Sequence, residues 1–331
     1  MNNTQAVPFS VVIPLYNKRP YIRRAVESVL RQKFAKFELI VVDDGSTDNG
    51  AAELVDLLDP RLKLVQQRNQ GEGAARNAGL AHASGDWIAF LDADDAWMPS
   101  HLEELRRIAI AHPNAGLIST TCIESVGPTL PVASEVAATA VTIREVDYFL
   151  EAARRIGFIN ATSTAVRSDV AASIGGFSTR RTGADLEYWV KIALIHPVAV
   201  SSRITCVYFR DTGGVMHQVA RDRTITPGGP SLTIREFSTP VSVLYDAADK
   251  DPALLRRPSI QRYINGALVL AIKGSLFRGD TRNAKNFSQM LLRPLTAREQ
   301  TLRFALQAPD AILGFGVSMV LELKRIFRHH W

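Results

Sequence analysis

Two carboxylates one residue apart, Asp92 and Asp94, follow the apolar run Trp87-Ile-Ala-Phe-Leu91. Hard divalent cations are typically held by one or two carboxylates together with substrate phosphates and water, so such a turn suits a metal-bridged nucleoside diphosphate. The same residues also make a solvated turn, or a cap for a helix beginning near Pro99. A second pair, Asp43-Asp44, ends the run Phe37 to Val42 and continues as Gly45-Ser46-Thr47-Asp48, residue types at home in turns and helix caps. Two acidic pairs at two strand ends of one sheet repel each other, so a cation or a hydrogen-bond-donating ligand is expected between them. Gly71-Glu-Gly-Ala-Ala-Arg76-Asn77 adds a glycine-rich helix start and a guanidinium, a combination that can approach phosphates. It is neither a P-loop, because no GK[ST] follows, nor GxGxxG.

The elements that must position these residues alternate. Phe9 to Leu15, Phe37 to Val42, Leu62 to Gln66 and Trp87 to Leu91 read as strands. Lys18 to Gln32, Asp48 to Leu58 and Gly73 to Ala83 read as helices, the first with Tyr21, Ile22, Ala25, Val26, Val29 and Leu30 at helical spacing. Unbroken apolar strands are those of buried parallel sheets, so the expectation is an α/β fold with a Rossmann-like, doubly wound, mostly parallel sheet and a ligand outside the carboxyl ends of its strands. Gly127 to Thr142 is expected to be a loop or connector. A second mixed region with strands at Ala161 to Val166 and Ala199 to Phe209 follows. After the turn-rich Thr226 to Ser231 the chain reads as helical. The domain expectation is 1–225 for an α/β domain with the ligand site and 226–331 for a helical C-terminal region.

The strings SVVIPLYNK, ESVLRQKF, FELIVVDDGSTD and NQGEGAARNAGLAHASGDWIAFLDADD, between Pro8 and Pro99, resemble in order and spacing the inverting family 2 glycosyltransferases of GT-A fold. The resemblance implies that Pro14, Tyr16 and Asp44 line a nucleobase pocket and that Arg76 lies near the diphosphate. It also implies that Asp92 and Asp94 serve ribose and metal, Asp94 holding Mg2+ or Mn2+. Gly183-Ala-Asp-Leu-Glu-Tyr-Trp189 resembles the family's Glu-Asp element, with Ala184 where the glutamate usually stands; Asp185 is then the base for the acceptor proton and Glu187 the competitor. Trp87 is expected in the core and Trp97 in the wall of the sugar pocket. Processive members carry QxxRW and membrane helices, whereas here Gln218-Val-Ala-Arg221 is followed by Asp222, which implies a single-transfer enzyme. His217 is either an ordinary loop histidine or a group close to the metal. The implied reaction moves a sugar, expected to be UDP-linked, to an acceptor hydroxyl on a glycan or lipid-linked molecule. A pyrophosphorylase would want glycines directly after the first strand, and Ala184 keeps open a degenerate sugar-nucleotide-binding module.

Composition agrees with a folded enzyme. Of 331 residues, 46% are apolar and 22% charged, which excludes disordered and low-complexity classes. Two cysteines, Cys122 and Cys206, cannot build a disulfide framework and lack CxxC spacing, so a reducing, cytoplasmic location is expected. The start, MNNTQAVPFS, has no secretory pattern. The stretch Ile108 to Ile123 is free of charged residues over sixteen positions. A membrane span wants roughly eighteen or more. Net charge is +6, but residues 251–331 carry thirteen Lys+Arg against five Asp+Glu, or +8, which leaves −2 for the rest. No nucleic-acid signature accompanies that tail, so the expected partner is an anionic membrane surface, at the inner face of the cytoplasmic membrane, or an acidic partner, and not nucleic acid.

Overall fold

The computed structural model describes residues 8–126, 140–155, 157–180, 183–210, 212, 238–277, 279–293 and 295–308. Strand β1 (Phe9–Leu15) is buried along its whole length because it lies between β2 (Phe37–Asp43) and β4 (Trp87–Phe90), both parallel to it. β3 (Leu62–Gln66) extends this set beyond β2. Alternate residues of the strands face two layers. Val11, Ile13, Leu39 and Val41 pack with Ile22, Ala25, Val26 and Val29 of α1 (Arg19–Leu30) and with Leu102, Leu105 and Ile108 of α3 (His101–Ala111). Ile40 and Val42 pack instead with Ala75 of α2 (Glu72–His82). The doubly wound arrangement follows from strands that are apolar on both faces.

Beyond β4 the pairing changes sense. The sheet order is β3-β2-β1-β4-β8-β6-β9-β5, with β8 (Thr164–Arg167) antiparallel to β4 and to β6 (Leu117–Val126). β6 runs parallel to β9 (Val198–Arg210), which also pairs antiparallel with the short β5 (Ala96–Trp97) and with β7 (Ile143–Val146). The charge-free stretch from Ile108 divides into the end of α3 and the start of β6. Two expected elements are shorter than the pattern suggested. Asp48 to Leu58 contains only a 3₁₀ turn, Gly50–Leu54, because Val55 and Leu58 project into solvent and offer no stripe to bury. Ala161 to Ser163 forms a 3₁₀ turn closed by a reciprocal Asn160–Ser163 cap, and the strand begins only at Thr164.

The reading of the cysteines needs correction. Cys122 and Cys206 are register partners across β6 and β9, their Cα atoms 4.6 Å apart, and they form a disulfide. A separation of 84 positions in the chain concealed a side-by-side placement that only the β6–β9 pairing creates.

The chain divides into two compact units, residues 1–151 with 157–220, and residues 152–156 with 221–331. The first holds the sheet. The described part of the second is helical, with Thr239–Ala248, Pro258–Phe277, Thr281–Gln289 and Ala297–Ala305, and it is pinned by Asn265, whose amide bonds Leu292 N and O at 2.8 and 2.9 Å. Residue 225, most of the Gly127–Thr142 segment, His217, Gln218–Asp222 and the terminal segment from 309 lie outside the described residues. Among the described residues no helix is long and apolar enough to cross a membrane.

Candidate active site

The turn after β4 brings three carboxylates together, and each has its own support. Asp95 is fully buried; it accepts from the Phe209 backbone N–H at 2.9 Å and from the Thr162 hydroxyl, which ties the turn to β9 and to the 3₁₀ turn. Burial, reinforced by Asp92 and Asp94, pushes the Asp95 carboxyl well above the usual range. Arg24 of α1 donates to the Asp94 carbonyl and stacks over the Phe209 ring, 3.6 Å from its centroid. The Asp94 Oδ2 accepts from Lys18 Nζ and from Thr212 Oγ1, both at 2.5 Å. Asp92 pairs with Arg76 at 2.7 Å.

Arg76 is the centre of the arrangement. Its side chain is 4% exposed, and it bonds Glu72 one turn back on α2 at 2.6 Å as well as Asp92. Burial works against its charge, yet Glu72, Asp92 and Asp185 around it keep it firmly protonated. Its Nε has no hydrogen-bond partner although it is buried. Asp185 lies in the first turn of α6 (Ala184–Ala193). Burial raises its carboxyl above the ordinary value and Arg76 pulls it back. Burial likewise raises Asp92, again opposed by Arg76. Glu187 differs, being paired with Lys191 at 2.7 Å along the same helix.

What joins Asp185 to Arg76 is a clamp between α2 and the segment preceding α6. Asn77 bonds both backbone groups of Phe177, at 2.7 and 2.9 Å. Gly73 lets the helix approach so closely that a Cβ there would lie 2.1 Å from the Ser178 carbonyl oxygen. The Phe177 ring then packs against Tyr188 and Trp189 of α6 and lies 5.5 Å from the Arg76 guanidinium.

The other strand ends serve the neighbouring loops. Asp44 is buried and accepts from Gln67 Nε2 and from the backbone N–H groups of Gln70 and Gly71, at 2.7–2.9 Å. Asp43 accepts from Ser46 N at 2.9 Å. Asn17, in the left-handed region at φ 52, accepts from Thr47 N while its own N–H donates to Ser46 Oγ. Pro14 is buried in β1 and the Tyr16 ring is 46% exposed at its end. A ligand is therefore not needed to relieve repulsion between the two acidic pairs, because backbone amides, Arg76 and Lys18 already face them. Trp97 is another correction: it is 3% exposed, donates to the Thr162 carbonyl and stacks on His101, so it belongs to the core and not to a sugar-pocket wall.

Sequence reasoning passed over Lys18, Asn77, Asp95 and Thr212. Asp95 was visible as the third carboxylate of Asp92-Ala-Asp-Asp95, and Lys18 as the cation closing SVVIPLYNK. Asn77 and Thr212 carried no signal, since their partners are distant in the chain.

The mixed α/β architecture with its large central sheet matches that of GT-A glycosyltransferase structures such as TarS. Over residues 10–167 the chain matches Glycosyl transferase family 2. It is 46% identical over 99 residues to an uncharacterized glycosyltransferase of Nostoc sp., covering 29% of this chain and 31% of that one. It is 42% identical over 95 residues to the Escherichia coli UDP-Glc:alpha-D-GlcNAc-diphosphoundecaprenol beta-1,3-glucosyltransferase WfgD, covering 28% and 38%. The matched stretch thus spans about a third of these relatives' length. In fold it is similar to S. aureus TarS 1-349, crystallised in complex with UDP-GlcNAc, with TM-score 0.63, 18% identity and coverage of 96% of this chain and 91% of that one.

Proposed function

We propose that the protein is an inverting, single-transfer glycosyltransferase that moves a sugar from a UDP-linked donor to an acceptor hydroxyl in surface polysaccharide or glycan biosynthesis. The observation that carries this reading is Arg76, one buried guanidinium paired with Asp92 and close to Asp185, which couples a donor-side carboxylate to a base-side carboxylate. Asp185 takes the acceptor proton as the hydroxyl attacks the anomeric carbon. One displacement by an external nucleophile inverts that centre, so no enzyme nucleophile is required. The uncommitted Nε of Arg76 leaves a donor for the diphosphate. Tyr16, Pro14 and Asp44 form the nucleobase side, with Asp44 also holding the 67–71 loop that walls it.

The donor set fits Mg2+ or Mn2+. Among the described residues no cluster of three or more metal-ligating side chains occurs, and Asp94, with Asp92 beside it, supplies the carboxylates that such an ion needs when phosphates complete its shell. A bound ion would supply neutralisation of charge at the departing diphosphate. WfgD by its name takes UDP-Glc and a diphosphoundecaprenol-linked acceptor, and TarS was crystallised with UDP-GlcNAc, which supports a UDP-sugar and a lipid-linked acceptor. Isothermal titration with UDP, in Mn2+ and in EDTA, tests the donor side. Metal-dependent binding that Asp94→Asn weakens is expected; equal affinity in EDTA and Mn2+ removes Asp94 from a metal role.

A further inference from the structure

The ammonium of Lys18 lies 2.5 Å from Asp94 Oδ2 and 3.1 Å from the Thr212 carbonyl oxygen, while the Thr212 hydroxyl donates to the same Oδ2. Carboxylate and carbonyl oxygens are the donor types that hold hard cations. The pair is mostly shielded, with 17% and 16% of the two side chains exposed. We infer that Lys18 is a built-in occupant of the cation position at Asp94, so that a divalent ion binds there only by displacing it.

The backbone keeps Lys18 in place while leaving its side chain free to move. Lys18 is the N-cap of α1, and its carbonyl accepts from Tyr21 N and Ile22 N at 2.9 and 3.0 Å. The preceding Asn17 is latched to Ser46 and Thr47. What can vacate the seat is the flexible four-carbon stem, and the Tyr21 ring, 5.8 Å from Nζ, is an alternative surface for the ammonium. Two cations at contact distance from one carboxylate oxygen repel each other, so in the nucleotide-free protein Lys18 lowers affinity for a divalent ion. A diphosphate reverses this, since its oxygens ligate the ion and also offer the displaced ammonium an anionic partner. Metal and nucleotide then bind cooperatively, and Lys18 is the positioning residue that creates the coupling.

This inference rests on the metal and nucleoside-diphosphate reading of the site, and its test separates the two. Free Mn2+ is counted by electron paramagnetic resonance during titration of the full chain, with and without UDP. Lys18→Met is expected to bind Mn2+ about tenfold more tightly than the parent without UDP and to show a correspondingly smaller gain on adding UDP. Lys18→Arg, which keeps a cation, should stay near the parent. Adding Asp94→Asn to Lys18→Met should abolish the gain. Parental Mn2+ affinity in nucleotide-free Lys18→Met overturns the inference while UDP-dependent Mn2+ binding leaves the site reading intact. No Mn2+ binding to either protein, even with UDP, overturns both.

Discussion

Asp185 and Glu187 share the first turn of α6 but differ in company. Glu187 is buried and spent on Lys191, whereas Asp185 has the Arg76 guanidinium as its charged neighbour, in the group that also holds Asp92. A carboxylate tied to a lysine of its own helix is already committed to a partner; one whose proton affinity burial raises is a usable base. Asp185→Asn keeps size and hydrogen bonding but cannot take a proton, so it should bind UDP like the parent and transfer sugar slower by about 10²–10⁴. Glu187→Gln should be milder. Single-turnover transfer rates for both variants decide the matter, and a near-parental Asp185→Asn beside an inactive Glu187→Gln would move the base two residues along. The pH profile adds an independent sign. Burial raises the Asp185 carboxyl, so transfer should fall as pH drops through a value above the ordinary carboxylate pKa of about 3.9, and replacing Arg76 by Gln should shift that limb to still higher pH. A profile flat down to the ordinary value would show that this carboxylate is not the base.

Helix α2 is the element on which the site depends, because it carries Arg76 and grips both the sheet and the approach to α6. Its packing relies on missing side chains: a Cβ at Gly79 would lie 2.2 Å from a Val12 methyl, and one at Gly73 would strike Ser178. Asn77→Leu removes both bonds to Phe177 without disturbing the glycines, and it should cost about 1–3 kcal/mol in urea unfolding. Transfer should suffer more than UDP affinity, since Asp44 and Tyr16 sit on strand ends that the clamp does not hold; equal losses of both would mean that the clamp positions the whole site. The strands β1, β2 and β4 were legible in the sequence because burial on both faces writes a nearly unbroken apolar run, and α1 because one buried face writes a 3.6-residue stripe. The 3₁₀ turn at Gly50 was not, since the apolar residues Val55 and Leu58 mimic a stripe yet stay exposed. The acidic strand ends were legible as residues, but not their partners. Asp44 with the 67–71 loop, Asp94 with Lys18 and Cys122 with Cys206 are products of tertiary register, which local spacing does not encode.

At the scale of the whole chain the charge is divided, with +8 on residues 251–331 and −2 on the remainder. Residues 1–250, slightly negative overall, gain little from long-range attraction to an anionic surface, so any such attraction must come from the C-terminal residues, among them Lys324, Arg325 and Arg328. Basic residues near an anionic bilayer contribute about 1 kcal/mol each, over a range limited by a Debye length of about 8 Å at physiological salt. A lipid-linked acceptor would make that attraction useful, because it confines the search for substrate to two dimensions at the surface where the acceptor resides. The full chain should therefore float with vesicles containing phosphatidylglycerol, release as salt is raised, and ignore vesicles of phosphatidylcholine alone. Replacing Lys324, Arg325 and Arg328 together by Gln lowers the charge of the segment by three and should weaken flotation while leaving UDP affinity unchanged. Equal recovery on neutral and anionic vesicles would remove the electrostatic explanation, and undiminished binding by the triple variant would move it to the other cations between 251 and 308.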